Sequence, residues 1–332
     1  MRTTGKTWWR PRGTIVLAVA SALLTAGCSL KRIAVNKLGN ALAESGTTFA
    51  SDDDPELVGA AIPFSLKLME SLLASAPEHR GLLFATASGF TQYAYAYVQQ
   101  RADMLEDQDL ARAATERTRA RRLYLRARGY GLRGLETHHE RFEERLRADP
   151  RAAVRAATVA DVPLLYWTAA AWGAAIAVSK EVPEIVADQP QVEALIDRAL
   201  ELDERFDAGA IHGFLISYEL ARQGAGGDPN ARARVHFDRA VSLSGGQLAS
   251  PFIAYAEAVS VGREDRREFE ALLQQALAID PDARPEWRLA NLIMQRRARW
   301  LLSRVDQLFL SAGRERTGRP ALTIPLSGDP IL

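Results

Sequence analysis

Side chains that commonly carry catalysis or bind metals are sparse in this chain of 332 residues. It has five histidines and one cysteine, and it contains no HExxH, GxSxG, CxxC or phosphate-binding-loop motif. His138 and His139 are adjacent, so on a helix they would point to different faces, which is poor geometry for one metal ion. His79, His212 and His236 have no second ligand at helical spacing. We therefore predict no catalytic residue, no metal site and no cofactor, and we expect a protein that is not an enzyme.

Two clusters of charged residues allow a functional and a structural interpretation. Asp52, Asp53 and Asp54 could hold Ca²⁺, but this loop lacks the later Gly and Glu of a calcium hand. Asp54 before Pro55 is instead typical of a helix N-cap. The arginines between positions 117 and 128 could bind phosphate, but the whole chain has a formal net charge of only +1. We favour a solvated helix face for these arginines, and we expect no nucleic-acid partner.

The N-terminus carries a secretion signal and one residue suited to covalent modification. A basic stretch at residues 2–12 precedes the apolar stretch Thr14–Ala26, which is too short to span a membrane. Cys28 follows three small residues and is the only cysteine, so no intrachain disulfide can form. A cysteine in this place is similar to the bacterial lipoprotein box, whose thiol carries a lipid. The alternative is an ordinary signal peptide followed by an incidental cysteine.

The lipoprotein interpretation sets the expected boundaries and location of the chain. It implies a signal peptide at residues 1–27, followed by a lipidated Cys28 and a tether over residues 28–51. Two or more acyl chains give stable membrane anchoring where a single chain does not. Ser29 stands where lipoproteins kept at the inner membrane often have Asp. We therefore expect a lipid-anchored protein of the cell envelope, at the periplasmic face of the outer membrane, with the inner membrane as the alternative.

The segments that follow are predicted to be helices, each with one apolar stripe. Three of them share a motif in which a bulky residue comes four positions after the first residue and Ala comes three positions later. This bulky–Ala motif is typical of the second helix of a tetratricopeptide (TPR) unit, because the Ala lets a neighbouring helix approach closely. The spacing of the motifs is somewhat longer than the ~34 residues of the strict repeat. The three motifs are Val192/Ile196/Ala199, Ala233/Phe237/Ala240 and Phe269/Leu273/Ala276.

Further helices extend this array in both directions. The long helix predicted for Leu110–Glu136 carries the same motif as Ala120/Tyr124/Ala127 and would pair with an aromatic-rich helix over His79–Ala102. Val162–Val178 has no charged residue, and we favour a helix buried on all sides over a membrane span because the segment is short and rich in Ala. Pro63 is expected to kink or divide the helix that begins at Pro55.

Together these elements define the expected fold class. It is all-α, a superhelical array of degenerate TPR-like helix pairs with additional N-terminal and capping helices. The array is predicted to occupy residues 52–312, and Gly and Pro residues predict an irregular C-terminal tail at residues 313–332.

Seven stretches, through their order and spacing, resemble the T-component lipoproteins associated with tripartite ATP-independent periplasmic (TRAP) transporters. The resemblance runs from about Cys28 to Phe309. The stretches are FASDDDPELVGAAIPFSLKLMESLL at 49–73, SGFTQYAYAYVQQRAD at 88–103, LYLRARGYGLRGLE at 123–136, LYWTAAAWGAAI at 165–176, RALELDERFDAGAIHGFL at 198–215, ARVHFDRAVSLSGG at 233–246 and RLANLIMQRRARWLLSRVDQLF at 288–309.

This resemblance implies self-association and a partner among the periplasmic solute-binding proteins of TRAP transporters. It also implies a tunnel through the helices for a small apolar or organic-acid ligand. Candidate lining residues, each of which could instead be ordinary core, are Tyr93, Tyr97, Trp167, Trp172, His212 and Asn291. Asn291 lies among apolar residues, where a buried amide needs hydrogen-bond partners. The alternative function is a TPR scaffold for outer-membrane or cell-wall assembly with no small ligand.

Overall fold

The computed structural model describes residue 37 and residues 46–309, except residue 223. Every regular element in this part of the chain is helical, so the predicted all-α class is confirmed. The signal peptide, Cys28 and the C-terminal tail lie outside the described residues.

The first half of the described chain is dominated by three long helical segments. Here α1 is Gly46–Ala50, α2 is Pro55–Ser75 and α3 is Arg80–Tyr93. A π-helical turn, π1 (Ala94–Gln99), joins α3 to α4 (Gln100–Leu105), and α5 follows at Leu110–Glu136. Two short helices, α6 (Phe142–Ala148) and α7 (Pro150–Ala153), lead through 3₁₀ turns at Val154–Ala156 and Val159–Asp161 to α8 (Val162–Ala177).

The second half alternates helices with short loops. It contains α9 (Pro183–Val186), α10 (Gln189–Leu202), α11 (Phe206–Tyr218) and α12 (Pro229–Leu243). Next come α13 (Ser250–Tyr255), a second π-helical turn, π2 (Ala256–Ser260), and α14 (Arg266–Ala278). Two 3₁₀ turns, Pro281–Ala283 and Pro285–Trp287, then precede the closing helices α15 (Arg288–Ser303) and α16 (Val305–Leu308).

The long helices pack mainly against helices close to them in the chain. α5 packs on α3 and α8, α8 on α10, α11 on α12, and α14 on α15. In all four bulky–Ala motifs the closing Ala is essentially inaccessible to solvent, as expected for a point of close helix approach (Ala127, Ala199, Ala240 and Ala276). Pairing of neighbouring helices therefore agrees with the sequence, while a TPR-like superhelical path remains a prediction.

The start of α2 follows the sequence prediction, while its interior excludes one of the two outcomes expected at Pro63. Asp54 Oδ1 accepts hydrogen bonds from the backbone N–H groups of Glu56 and Leu57 at 3.0 and 2.9 Å, so the N-cap is confirmed. However, the helix runs through Pro63 without dividing. The stripe of Val58, Leu66, Met69 and Leu73 is buried on both sides of Pro63, and packing along this stripe holds the two halves in one helix.

Within the part of the chain that the structure describes, two helices are long and apolar enough to cross a membrane, judged by length and composition alone. They are Pro55–Ser75 and the segment Val159–Ala177 that contains α8. In the second, 56% of the apolar window is buried inside the protein, between α3, α5 and α10. Most of this segment is therefore buried against neighbouring helices, although not on all sides, because Tyr166 and Trp167 are only half-buried.

A close approach of α5 and α8 at one glycine leads to a prediction. A Cβ on Gly131 would lie 2.1 Å from Thr168 Oγ1 and 3.3 Å from Thr168 Cα, so the two helices would have to separate. We expect Gly131→Ala to lower the free energy of unfolding by about 1–3 kcal/mol. Gly129 is the matched control in the same helix, because its Cβ would meet no described atom within 4 Å. Gly129→Ala should be neutral or raise stability by up to about 1 kcal/mol.

Urea unfolding of both variants tests this close contact. Equal unfolding midpoints for Gly131→Ala and Gly129→Ala would show that α5 and α8 do not approach each other as described.

Candidate functional site

The structure brings two of the predicted tunnel residues together at the junction of α3 and π1. The Tyr93 and Tyr97 rings stack with centroids 5.7 Å apart. The hydroxyl of Tyr97 is buried and has no hydrogen-bond partner among the described residues. Its burial raises the pKa of Tyr97 to about 12. π-Helical turns often occur at functional sites, and the role of this pair as tunnel lining remains a prediction.

The two tryptophans of α8 have different surroundings. Trp172 is 1% exposed, its Nε1 donates to Asp188 Oδ2 at 3.1 Å, and the Arg128 guanidinium lies 4.6 Å above its ring. The indole N–H and the ring face of Trp172 therefore both contact groups of the protein itself. Trp167 is half-buried and meets the neighbouring Tyr166 ring edge-on at 5.0 Å. Five positions apart on one helix, the two indoles face different sides.

His212 has a partner that sequence analysis did not find. Its Nδ1 lies 2.9 Å from Nδ1 of His236, which joins α11 to α12. The two histidines therefore meet through tertiary packing, although neither has a partner at helical spacing in the sequence. They are 24 positions apart on different helices, so no local spacing could reveal the contact. On the other side of the ring, His212 Nε2 lies 3.6 Å from a carboxylate oxygen of Glu204.

This histidine pair gives a pH dependence of stability. Burial lowers the pKa of both rings below the ordinary value of 6.5, and at His236 the charge of His212 lowers it further. As the pH falls, these histidines therefore bind protons in the unfolded chain before they do so in the folded protein. The free energy of unfolding should be highest above about pH 6.5 and should decrease as the pH falls towards the pKa values of the folded state. Each unit of pKa difference corresponds to about 1.4 kcal/mol.

Chemical unfolding between about pH 7.5 and 5 measures this loss. A variant with His212→Gln and His236→Gln should show a flatter pH profile, whereas exposed His138→Gln should keep the parent slope. An unchanged slope in the double variant would contradict the assignment. The contribution of Asp161 falls outside this window, because its pKa lies at about 2 and its stabilisation is lost only below its ordinary value of 3.8.

His138 and His139 lie in the turn after α5 and not on a helix. His139 Nε2 is 3.1 Å from Asp161 Oδ2, and Arg80 Nη2 donates to Asp161 Oδ1 at 2.7 Å. Burial by itself would raise the Asp161 pKa, but hydrogen bonds from the Thr158 backbone, Arg80 and His139 outweigh it. These contacts connect α3 to the 3₁₀ turn before α8, so the cluster has a structural role. In the described part of the chain, His, Cys, Asp and Glu form no group of three or more suited to a metal ion.

Asn291 makes two hydrogen bonds to backbone rather than facing an open space. It is 1% exposed; its Oδ1 accepts from the Ala249 N–H and its Nδ2 donates to the Gln247 carbonyl, both at 2.9 Å. Both partners belong to the segment between α12 and α13. The expectation that a buried amide here needs partners is met by this backbone contact, which favours a structural role for the side chain.

An ion network not predicted from the sequence lies between α4, π2 and α15. Arg297 is 7% exposed, donates to both carboxylate oxygens of Glu257 at 2.7 and 2.6 Å, and donates to Asp103 at 3.1 Å. The two carboxylates raise the pKa of Arg297 despite its burial. A signal was available, because Arg297 falls on the apolar stripe of α15, three positions after Met294 and four before Leu301.

Comparison with known proteins identifies the family. The family model described as "TRAP transporter T-component" matches residues 51–309. A Treponema pallidum (strain Nichols) protein, described only as uncharacterized, is 31% identical over 315 residues, covering 88% of this chain and 96% of the relative. The matched range includes every helix from α2 to α16. The chain therefore belongs to the TRAP transporter T-component family, and its role lies in TRAP transport at the cell envelope.

Proposed function

We propose that this protein is a lipid-anchored, periplasm-facing T-component that docks the periplasmic solute-binding protein of a TRAP transporter. The family match over residues 51–309 is the observation that carries this proposal. This match favours a transport protein as the binding partner over outer-membrane or cell-wall assembly factors. The chemistry of the described residues supports a binding role, because the titratable clusters at Asp161 and at Arg297 are saturated by internal partners.

The second part of the proposal is that the chain binds a small apolar or organic-acid ligand along a tunnel through its helices. Tyr93 and Tyr97 are its leading lining residues, since Tyr97 presents a buried hydroxyl without a described partner. Trp167 is also a candidate, because part of its side chain is accessible to solvent. His212 is a further candidate, and its ring contacts His236. Trp172 and Asn291 are weaker candidates, because their polar groups are bonded within the protein.

A third part concerns assembly and anchoring. Leu57 and Phe64 on α2 are 60% and 74% exposed, an amount of accessible apolar surface that supports contact with another copy of the chain or with the partner. Anchoring is proposed to occur through a lipid on Cys28 at the periplasmic face of the outer membrane. Cys28→Ala should leave the protein unlipidated and release it from membranes into the soluble fraction on cell fractionation. Persistent membrane partitioning would place the anchor elsewhere.

Affinity capture from periplasmic extract tests the docking proposal. The bait is the mature chain with Cys28 removed, and captured proteins are identified by mass spectrometry. Recovery of a solute-binding protein in near-equal amount is the expected result. Recovery of assembly factors or cell-wall enzymes, with no solute-binding protein, would instead support the scaffold function.

A further inference from the structure

Three aromatic side chains converge where α8 meets the start of α11. The Tyr166 ring contacts Trp167 edge-on with centroids 5.0 Å apart, and it contacts Phe206 at 5.4 Å with the planes tilted by 55°. All three residues are half-buried, so each keeps part of its surface open to solvent. Tilted and edge-on rings present π faces in different directions, as an aromatic cage does for a cation.

An acidic residue follows one of these rings in the chain. Asp207 directly follows Phe206, and its charge, together with the larger effect of burial, raises the pKa of the Tyr166 hydroxyl. Within the described ranges 46–222 and 224–309, Asp207 forms no salt bridge and its side chain accepts no hydrogen bond, in contrast to the many paired carboxylates of this chain. Loss of hydration also raises the pKa of the Asp207 carboxyl, although the residue as a whole is exposed to solvent.

The backbone holds this carboxylate in an unusual conformation. Asp207 and Ala208 have φ values of 46° and 52°, and Gly209 follows at 91°. Left-handed backbone is unfavourable for Ala in particular and persists only where the surrounding structure imposes it. At Gly209 a Cβ would lie 3.1 Å from a Leu243 methyl group and 3.3 Å from the Ala240 Cα, so the turn is pressed against α12. The backbone turn that carries Asp207 is therefore held in place by packing on α12.

We propose that Tyr166, Trp167, Phe206 and Asp207 form a binding site for a quaternary ammonium group. The ring faces attract the cation, and a carboxylate at the edge supplies a counter-charge. A protonated primary amine fits less well, because its three N–H donors need acceptors and the site offers one carboxylate. An organic anion would be repelled by Asp207. The site is independent of docking to a solute-binding protein, so either can exist without the other.

The experiment compares two ligands of nearly the same shape and different charge. Choline and its uncharged isostere 3,3-dimethyl-1-butanol are titrated into the mature chain with Cys28 removed, and binding is followed by calorimetry and by tryptophan fluorescence. Choline should bind at least about tenfold more tightly than the alcohol, which corresponds to about 1.4 kcal/mol. Equal binding of the two, or no binding of choline, would overturn the proposal.

Variants locate the bound cation. Trp167→Leu removes a ring face and Asp207→Asn removes the counter-charge, and Asn also tolerates left-handed backbone, so the fold should be kept. Each should weaken choline binding by about tenfold. Glu201→Gln, an exposed carboxylate at the end of α10, is the charge control and should bind choline as the parent does. If the control weakens binding as much as Asp207→Asn, the attraction is a general surface effect and the proposed site is wrong.

Discussion

Replacing Arg297 with Met should lower the free energy of unfolding by about 3–5 kcal/mol. The guanidinium is almost completely buried and neutralises Glu257 and Asp103, whose side chains are only 27% and 20% exposed. Removing the cation leaves two carboxylates close together with little access to water, and they repel each other while remaining poorly hydrated. Because the three residues lie on α15, π2 and α4, the loss should weaken contact between the first and second halves of the described chain.

Urea unfolding followed by circular dichroism measures this loss, with Arg299→Met as the matched control. Arg299 lies on the same helix but is exposed, so its replacement should change stability by no more than about 0.5 kcal/mol. A triple variant with Arg297, Glu257 and Asp103 all replaced by apolar residues should recover much of the stability, because no buried charge is left unpaired. If Arg297→Met unfolds at the same urea concentration as Arg299→Met, the network is not a stabilising element.

Asn291→Leu should also be strongly destabilising. It leaves the Ala249 N–H and the Gln247 carbonyl without partners, at about 1–3 kcal/mol for each group that stays buried. The larger share should come from Ala249, which is inaccessible to solvent. A large fall in melting temperature is therefore expected, and it would identify Asn291 as the side chain that holds the α12–α13 segment against α15.

A second substitution distinguishes the two hydrogen bonds that the Asn291 amide makes. Asn291→Asp keeps an acceptor for the Ala249 N–H but replaces the donor to the Gln247 carbonyl with an oxygen. The stability that this variant loses should therefore come from the Gln247 contact. If Asn291→Leu melts like the parent protein, the two backbone bonds are unimportant for stability. That outcome would favour Asn291 as a tunnel-lining residue.

Local patterns in the sequence were sufficient to predict most of the helices. Apolar stripes, the Asp54–Pro55 cap and the bulky–Ala motifs each depend on neighbours within two turns of one helix, so they can be read without tertiary information. The exceptions have tertiary causes. Pro63 stays within α2 because the helix is buried on both sides of it, and the left-handed turn at Asp207 is held by packing on α12.

Side-chain partners across helices were much harder to predict. The contact of His212 with His236 and the contact of Arg297 with Asp103 join residues that are 24 and 194 positions apart. Nothing in the local spacing of either pair indicates the other member. Asn291 was recognised as unusual because an amide stood on an apolar stripe, but its backbone partners depend on where the preceding loop lies. The two π-helical turns, which position Tyr97 and Glu257, have no signal in the apolar pattern either.

The most direct test is a binding titration between purified proteins. The mature chain with Cys28 removed would be titrated with the TRAP-type solute-binding protein of the same organism, with an unrelated periplasmic binding protein as the control. Saturable, near-stoichiometric binding to the TRAP-type protein alone is the predicted result. Equal binding of both proteins, or none to the TRAP-type protein, would contradict the proposal that this T-component docks it.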